Sequence, residues 1–284
     1  MSNNKIDHVI HEKMIKPQKK SHDYGELFRI LENYKPNRNN TILSIIIPMY
    51  NEEKTIRDVL ESLPNHKLIE IIVIDDNSTD NSIEEIKKAK SLNGIQIVKH
   101  SKNKGYGGAI TTGMKHAKGE IVVCMDSDGQ HRSDDLIELI KPITKGESDL
   151  TVGSRYLGSY TYPLPLLRQI GEILAEKVIR VFFRLKVKNN QNGFRGYNRK
   201  ALKILKNAKY LDYAFCTEQI LKASIYGIKL KECPTKVFGR QHGTSKLTII
   251  KLALNIFSCL LIYYFKKINV NIAKKNKNLL SIIF

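Results

Sequence analysis

Residues 121–131 read Ile121-Val122-Val123-Cys124-Met125-Asp126-Ser127-Asp128-Gly129-Gln130-His131: five apolar residues, then two carboxylates one residue apart in a polar turn. A short run of this kind suits a strand buried on both faces, and Asp, Ser and Gly suit the turn that ends it. The same change of character recurs upstream. The apolar run 42–47 leads into Pro48-Met49-Tyr50-Asn51-Glu52-Glu53, and 68–74 leads into Asp75-Asp76-Asn77-Ser78-Thr79-Asp80. Further strand-length runs stand at 95–98 and 150–152, and segments of helical length lie at 52–63, 82–91, 107–117 and 134–143. Strands alternating with helices predict an α/β fold, a mostly parallel sheet covered on both faces. Ligands of such sheets bind beyond the carboxyl ends of the strands. One acidic turn there would be an ordinary helix cap; three converging on one edge predict a site.

Asp126-Ser127-Asp128 is the sharpest of the three. Two carboxylates one residue apart make a hard oxygen site for Mg²⁺ or Mn²⁺. Such a cation takes one or two protein carboxylates and completes its shell with substrate phosphates and water. That chemistry suits a diphosphate leaving group, whose charge builds as a sugar–phosphate bond breaks. His131, directly after the turn, reads as a donor supporting the metal loop rather than as a base.

Length and charge frame these motifs. A chain of 284 residues can form one large domain plus attachments. Lys and Arg outnumber Asp and Glu by 47 to 28, a formal charge of +19. Such an excess points to a polyanionic partner, whether nucleic acid, an anionic bilayer or a phosphate-bearing substrate, or else to a lysine-rich composition. Cys124, Cys216, Cys233 and Cys259 are scattered, with no CxxC pair. No N-terminal apolar run resembles a signal peptide, so the expected compartment is the cytoplasm. Aromatic residues are not interleaved with Lys and Arg, which argues against a nucleic-acid binder.

Seven strings occur in one order: PMYNEE (48–53), DDNSTD (75–80), NKGYGGAITTG (103–113), MDSDGQH (125–131), GSRY (153–156), NGFRGYNR (192–199) and GRQHGTSKL (239–247). On them, from residue 42 to about 246, the chain resembles an inverting family 2 glycosyltransferase of the GT-A (Rossmann-like) fold. It is most similar to the branch of dolichyl-phosphate mannose synthase and its polyprenyl-phosphate relatives. The resemblance implies hexosyl transfer from a nucleotide-diphospho-sugar (GDP-mannose, UDP-glucose or UDP-GlcNAc) to dolichyl or polyprenyl phosphate, in glycan assembly. The alternatives are another glycan or glycolipid acceptor, or a basic non-enzymatic membrane scaffold.

The resemblance also implies roles. Pro48, Tyr50 and Glu52 would line the nucleotide pocket and Asp76 would hydrogen-bond the base. Asp126 and Ser127 would lie beside the ribose and metal, while Asp128 would ligate the cation with help from Gln130, giving Asp126, Asp128 and Gln130 as the metal set. Arg155, Arg240 and Lys246 would clamp phosphates and, with Asp128, form the catalytic group. Glu218 stands between an acceptor-side role and a polar residue of a core helix. The glycines of 103–108 lack GxGxxG spacing and read as close packing of a helix rather than phosphate binding.

Residues 1–40 read as a basic extension with a short amphipathic stretch at 24–31, 41–246 as the glycosyltransferase domain, and 247–284 as a membrane-associated segment. Residues 166–185 are amphipathic at helical spacing, with Leu166, Leu167, Ile170, Ile173, Leu174, Val178, Val181 and Phe182 on one face and Arg168, Glu172, Glu176, Arg180 and Arg184 mostly elsewhere. The apolar run 247–265 is interrupted by Lys251 and Asn255, leaving open a span or an interfacial helix. Lys266, Lys267, Lys274, Lys275 and Lys277 suit an anionic cytoplasmic leaflet. The expectation is a membrane-associated protein whose catalytic domain faces the cytoplasm.

Overall fold

In the computed structural model, which describes residues 23–34, 41–89, 94–162, 166–240 and 249–283, each acidic turn leaves a buried strand. Strands β1 (Leu43–Met49), β2 (Ile69–Asp75), β3 (Ile95–Lys99) and β4 (Ile121–Cys124) alternate with helices α2 (Ile56–Glu61), α3 (Ser82–Lys88) and α4 (Tyr106–His116). A preceding helix, α1, covers Gly25–Asn33. Beyond β4 come α5 (Leu136–Thr144), β5 (Leu150–Tyr160), α6 (Leu166–Phe183), β6 (Arg195–Asn198), α7 (Arg199–Leu205), α8 (Ala214–Tyr226), β7 (Leu230–Val237) and α9 (Ile249–Ile283).

The seven strands form one sheet in the order β3-β2-β1-β4-β6-β5-β7. β6 runs antiparallel to both neighbours, and every other pairing is parallel. From β1 the chain moves outward to β2 and β3, then returns to the other side of β1 as β4. The strand order therefore reverses between β1 and β4, where a crevice opens at the strand ends. The Pro48 and Asp126 turns meet there.

Every residue of β1 and β4 is buried, as strands covered on both faces require. One core cluster joins β1 and β2 to α1, α2 and α5 through residues such as Ile45, Val73, Leu60 and Leu139. A second, on the opposite face, joins Ile46 and Ile72 to α4, α7 and α8. Leu27 and Leu31 of α1, within the stretch read as an extension, belong to the first cluster.

A third cluster holds α9 on the domain, with Cys259 and Tyr263 packed among Ile179 and Phe183 of α6 and Ile220 and Leu221 of α8. Here α6 departs from ordinary amphipathicity. Glu172 is buried at 7% exposure, while Ile170, Ile173, Leu174, Val181 and Phe182 are exposed. Leu254, Phe257, Leu261 and Phe265 of α9 are exposed as well. Among the described residues no helix is long and apolar enough to cross a membrane.

Candidate functional site

The first two turns are laced together by backbone amides. Asn51 N–H donates to Ser78 Oγ at 3.0 Å, Glu52 N–H to Ser82 Oγ at 2.8 Å and Glu53 N–H to Asp80 Oδ2 at 3.1 Å. α2 starts at Ile56, four residues past the expected 52. Asn51 and Asn77 sit at φ 56° and 67°, the left-handed region that Asn tolerates. Tyr50 is exposed beside them.

The third turn is pinned to the first. Ser127 Oγ donates to the Pro48 carbonyl at 2.7 Å, and Thr55 Oγ1 donates to the Ser127 carbonyl at 2.8 Å. Ser127 thus fastens β4 to β1 with its own hydroxyl. Asp76 is similarly committed. It is buried, its Oδ1 lies 2.7 Å from His100 Nδ1, and it accepts the Lys104 and Gly105 amides at 2.8 Å each. The residue expected to meet a base thereby anchors the loop before α4.

Asp126 and Asp128 have different partners. Asp128 is buried and accepts Arg240 Nη2 at 2.9 Å and the Gln130 amide at 3.1 Å. Asp126 accepts the Tyr106 hydroxyl at 3.1 Å, and His131 Nδ1 stands 3.6 Å from its Oδ2. Burial pushes the Asp126 carboxyl above the usual range; His131 opposes this and the Asp128 carboxylate adds to it. Gln130 Nε2 donates to the Phe238 carbonyl at 2.8 Å, joining the turn to the segment that carries Arg240. His131 stacks on Phe194, with ring centroids 5.0 Å apart.

Among the described residues no three His, Cys, Asp or Glu side chains cluster to hold a metal ion. Two carboxylates are nonetheless what Mg²⁺ or Mn²⁺ takes from protein when a phosphate completes its shell. Asp126, part-exposed at that turn with the Asp128 carboxylate two residues on, fits a cation there.

A cavity of about 60 Å³ opens behind the turn, bringing Asp126, Gln130, His131 and Arg155 together with Tyr162, Asn189, Gln191 and Gly193. Arg155 is buried; Nη2 pairs with Glu172 at 2.6 Å, Nη1 donates to Tyr162 Oη at 2.9 Å, and Nε has no partner. Glu172, read from the sequence as lying off the apolar face of its helix, does so: it faces inward, where it supplies the countercharge of the buried Arg155. A larger open groove, about 640 Å³, lies between α1 and α5 and holds none of the expected site residues. Lys246 lies outside the described residues.

Gly193 and Gly105 make the close approaches possible. A Cβ on Gly193 would stand 2.1 Å from the Tyr106 hydroxyl and 2.6 Å from Asp126 Oδ1. One on Gly105, at φ 84°, would stand 2.6 Å from the Leu211 carbonyl. The glycines of 105–108 therefore serve packing, although all three approach Lys104 or residues 210–215 rather than the sheet. Tyr213 of that loop, which no motif marked, stacks on Tyr106 with centroids 5.0 Å apart and planes 9° apart. Glu218 is a buried residue of α8, bonded to Lys222 at 2.8 Å and to Tyr263. That is the core-helix alternative.

Residues 44–205 match the family model described as Glycosyl transferase family 2. The UDP-N-acetylglucosamine–dolichyl-phosphate N-acetylglucosaminyltransferase of Methanococcus voltae is 31% identical over 245 residues, covering 80% of this chain and 98% of that one. The dolichol-phosphate mannosyltransferase of Pyrococcus furiosus is 28% identical over 212 residues, 72% of this chain and 59% of that one. Among solved structures, glucosyl-3-phosphoglycerate synthase of Mycobacterium tuberculosis, in complex with Mn²⁺, UDP-glucose and glycerol 3-phosphate, superposes with a TM-score of 0.64. At 18% identity, over 87% of this chain and 86% of that one, it shares the fold.

Proposed function

The chain belongs to glycosyl transferase family 2, and from that premise we propose that it moves a hexosyl group from a nucleotide-diphospho-sugar to dolichyl or another polyprenyl phosphate at a membrane face. Its being a glycosyltransferase follows from the family; the acceptor is supported by relatives named for dolichyl phosphate. The observation that carries the proposal is the shared cavity of Asp126 and Arg155. It sets a carboxylate turn fit for a donor diphosphate beside a guanidinium with an unused N–H. Through Glu172 that guanidinium also belongs to α6, whose outward face is apolar.

Asp126 and Asp128 would hold the divalent cation, which supplies positive charge to the departing diphosphate. A phosphomonoester has a second pKa near about 6, so a lipid phosphate is largely dianionic at neutral pH and needs no general base. Its oxygen attacks the anomeric carbon, the bond from that carbon to the diphosphate oxygen breaks, and the nucleoside diphosphate leaves. Arg155 suits the incoming phosphate and Arg240 the outgoing one, each lowering the repulsion between two anions brought close.

The outward faces of α6 and α9 support seating on lipid: apolar side chains of that size, exposed together, mark an interaction surface. Those apolar outward faces, with Lys266 and Lys267 close by on α9, favour an interfacial position on the cytoplasmic leaflet. Membranes carrying the protein should convert one member of a panel of UDP- and GDP-sugars, with added polyprenyl phosphates, to a glycolipid identified by mass spectrometry. Transfer to glycans with none to any polyprenyl phosphate would overturn the acceptor assignment.

A further inference from the structure

Each residue of 209–213 is tied down, and the ties lead in two directions. The Lys209 and Tyr210 amides donate to Glu218, whose carboxylate also takes the Tyr263 hydroxyl of α9. The Tyr210 hydroxyl lies 2.9 Å from Ser258 Oγ, and Asp212 accepts Asn255 Nδ2, both on α9. Toward the site, the Leu211 carbonyl accepts the Gly108 amide at 3.1 Å, Tyr213 stacks on Tyr106, and Tyr106 donates to Asp126. Two rings nearly parallel at 5.0 Å fix each other's planes. Gly193 closes on Tyr106 and Asp126 from the other side, leaving that hydroxyl little room.

From this arrangement we propose that residues 209–213 form a strut by which the seat of α9 sets the Asp126 carboxylate, with Tyr106 and Tyr213 as its positioning residues. The inference rests on the proposed cation role of Asp126 and says how that carboxylate is aimed. An outer partner that orients a ligand commonly governs about 10- to 100-fold of metal affinity. The path runs through contiguous bonds and one stacked pair, so a change at α9 should be felt at the turn.

The test is Mn²⁺ binding to the full-length protein with saturating UDP, and separately GDP, followed as free Mn²⁺ by electron paramagnetic resonance. Tyr106→Phe and Tyr213→Ala should each weaken Mn²⁺ binding about tenfold. Tyr213→Phe, which keeps the stack, should restore wild-type affinity, as a role of bulk packing alone would not distinguish from Tyr213→Leu. Asn255→Ala should weaken Mn²⁺ on the order of 2- to 30-fold with an unchanged melting temperature. Wild-type binding with Tyr106→Phe and Asn255→Ala unaltered overturns the strut alone. A wild-type protein that binds no Mn²⁺, or an Asp126→Asn variant that binds it equally well, overturns the cation role and the strut with it.

Discussion

Arg240 donates through both Nε and Nη2 to one oxygen of Asp128, at 3.2 and 2.9 Å. The carboxylate expected to hold a cation is already countered by a side chain, so a cation and Arg240 compete for it. Arg240→Ala should lose about 2 kcal/mol of stability, the scale of a charged hydrogen bond, because Asp128 stays buried without its partner. Mn²⁺ should raise the melting temperature of this variant more than that of the wild type, measured by scanning fluorimetry. An equal response in both would remove the competition. Turnover should still fall about 100-fold, the cost of losing one electrostatic stabiliser.

Glu218 gives a pH-dependent prediction. Burial would raise its carboxyl, but Lys222, the Tyr210 amide and Tyr263 together hold it below the usual glutamate range. With the folded value depressed, its contribution is complete above the unfolded value and is lost as pH falls through the folded one. Glu218→Gln strands Lys222 in a buried position and should cost about 3 kcal/mol at pH 7. Urea melts should show that gap closing as pH falls below the ordinary glutamate range, where the depressed Glu218 carboxyl of the wild type takes up its proton.

Membrane seating is best tested by point variants. Removing 247–284 would strip Tyr263 from Glu218 and Cys259 from the third core cluster, so loss of membrane binding could not be told from unfolding. Ile173→Glu and Phe257→Glu alter side chains 54% and 60% exposed and should leave stability within about 0.5 kcal/mol. Each should reduce sedimentation with vesicles containing anionic lipid. Binding undiminished in the double variant would place the contact elsewhere.

The left half of the sheet was legible because β1, β2 and β4 are runs of Ile and Val whose only chemistry lies at their ends. Of the right half only the start of β5, at 150–152, was legible. β6 carries Arg195, whose three nitrogens donate to the Asn192, Cys216 and Asn190 carbonyls, so a fully buried strand residue looks like surface charge in sequence. β7 contains Pro234 and alternates polar residues, as an edge strand does. α8 buries Thr217, Glu218, Gln219 and Lys222 and so lacks a readable apolar stripe. At the site, the motifs located the Asp126 turn and the Pro48 turn it is bonded to. They did not reveal that Asp76 and Ser127 are occupied by backbone groups, or that Glu172 holds Arg155. Those facts depend on pairings 17 to 79 residues apart.

The stereochemical outcome follows from where the carboxylates are committed. A retaining double displacement needs a carboxylate or similar nucleophile free to reach the anomeric carbon. Of the two in the Asp126 turn, Asp128 is bonded to Arg240 and Asp126 to Tyr106, and both are assigned to the cation when donor is present. The acceptor phosphate supplies its own anionic oxygen. A single in-line displacement results, and an α-linked nucleotide sugar should give a β-linked lipid phosphosugar, read from the anomeric coupling of the product by NMR. Asp128→Asn should abolish divalent-dependent transfer while the far-ultraviolet circular dichroism stays that of the wild type. An α-linked product from an α-linked donor would overturn direct attack.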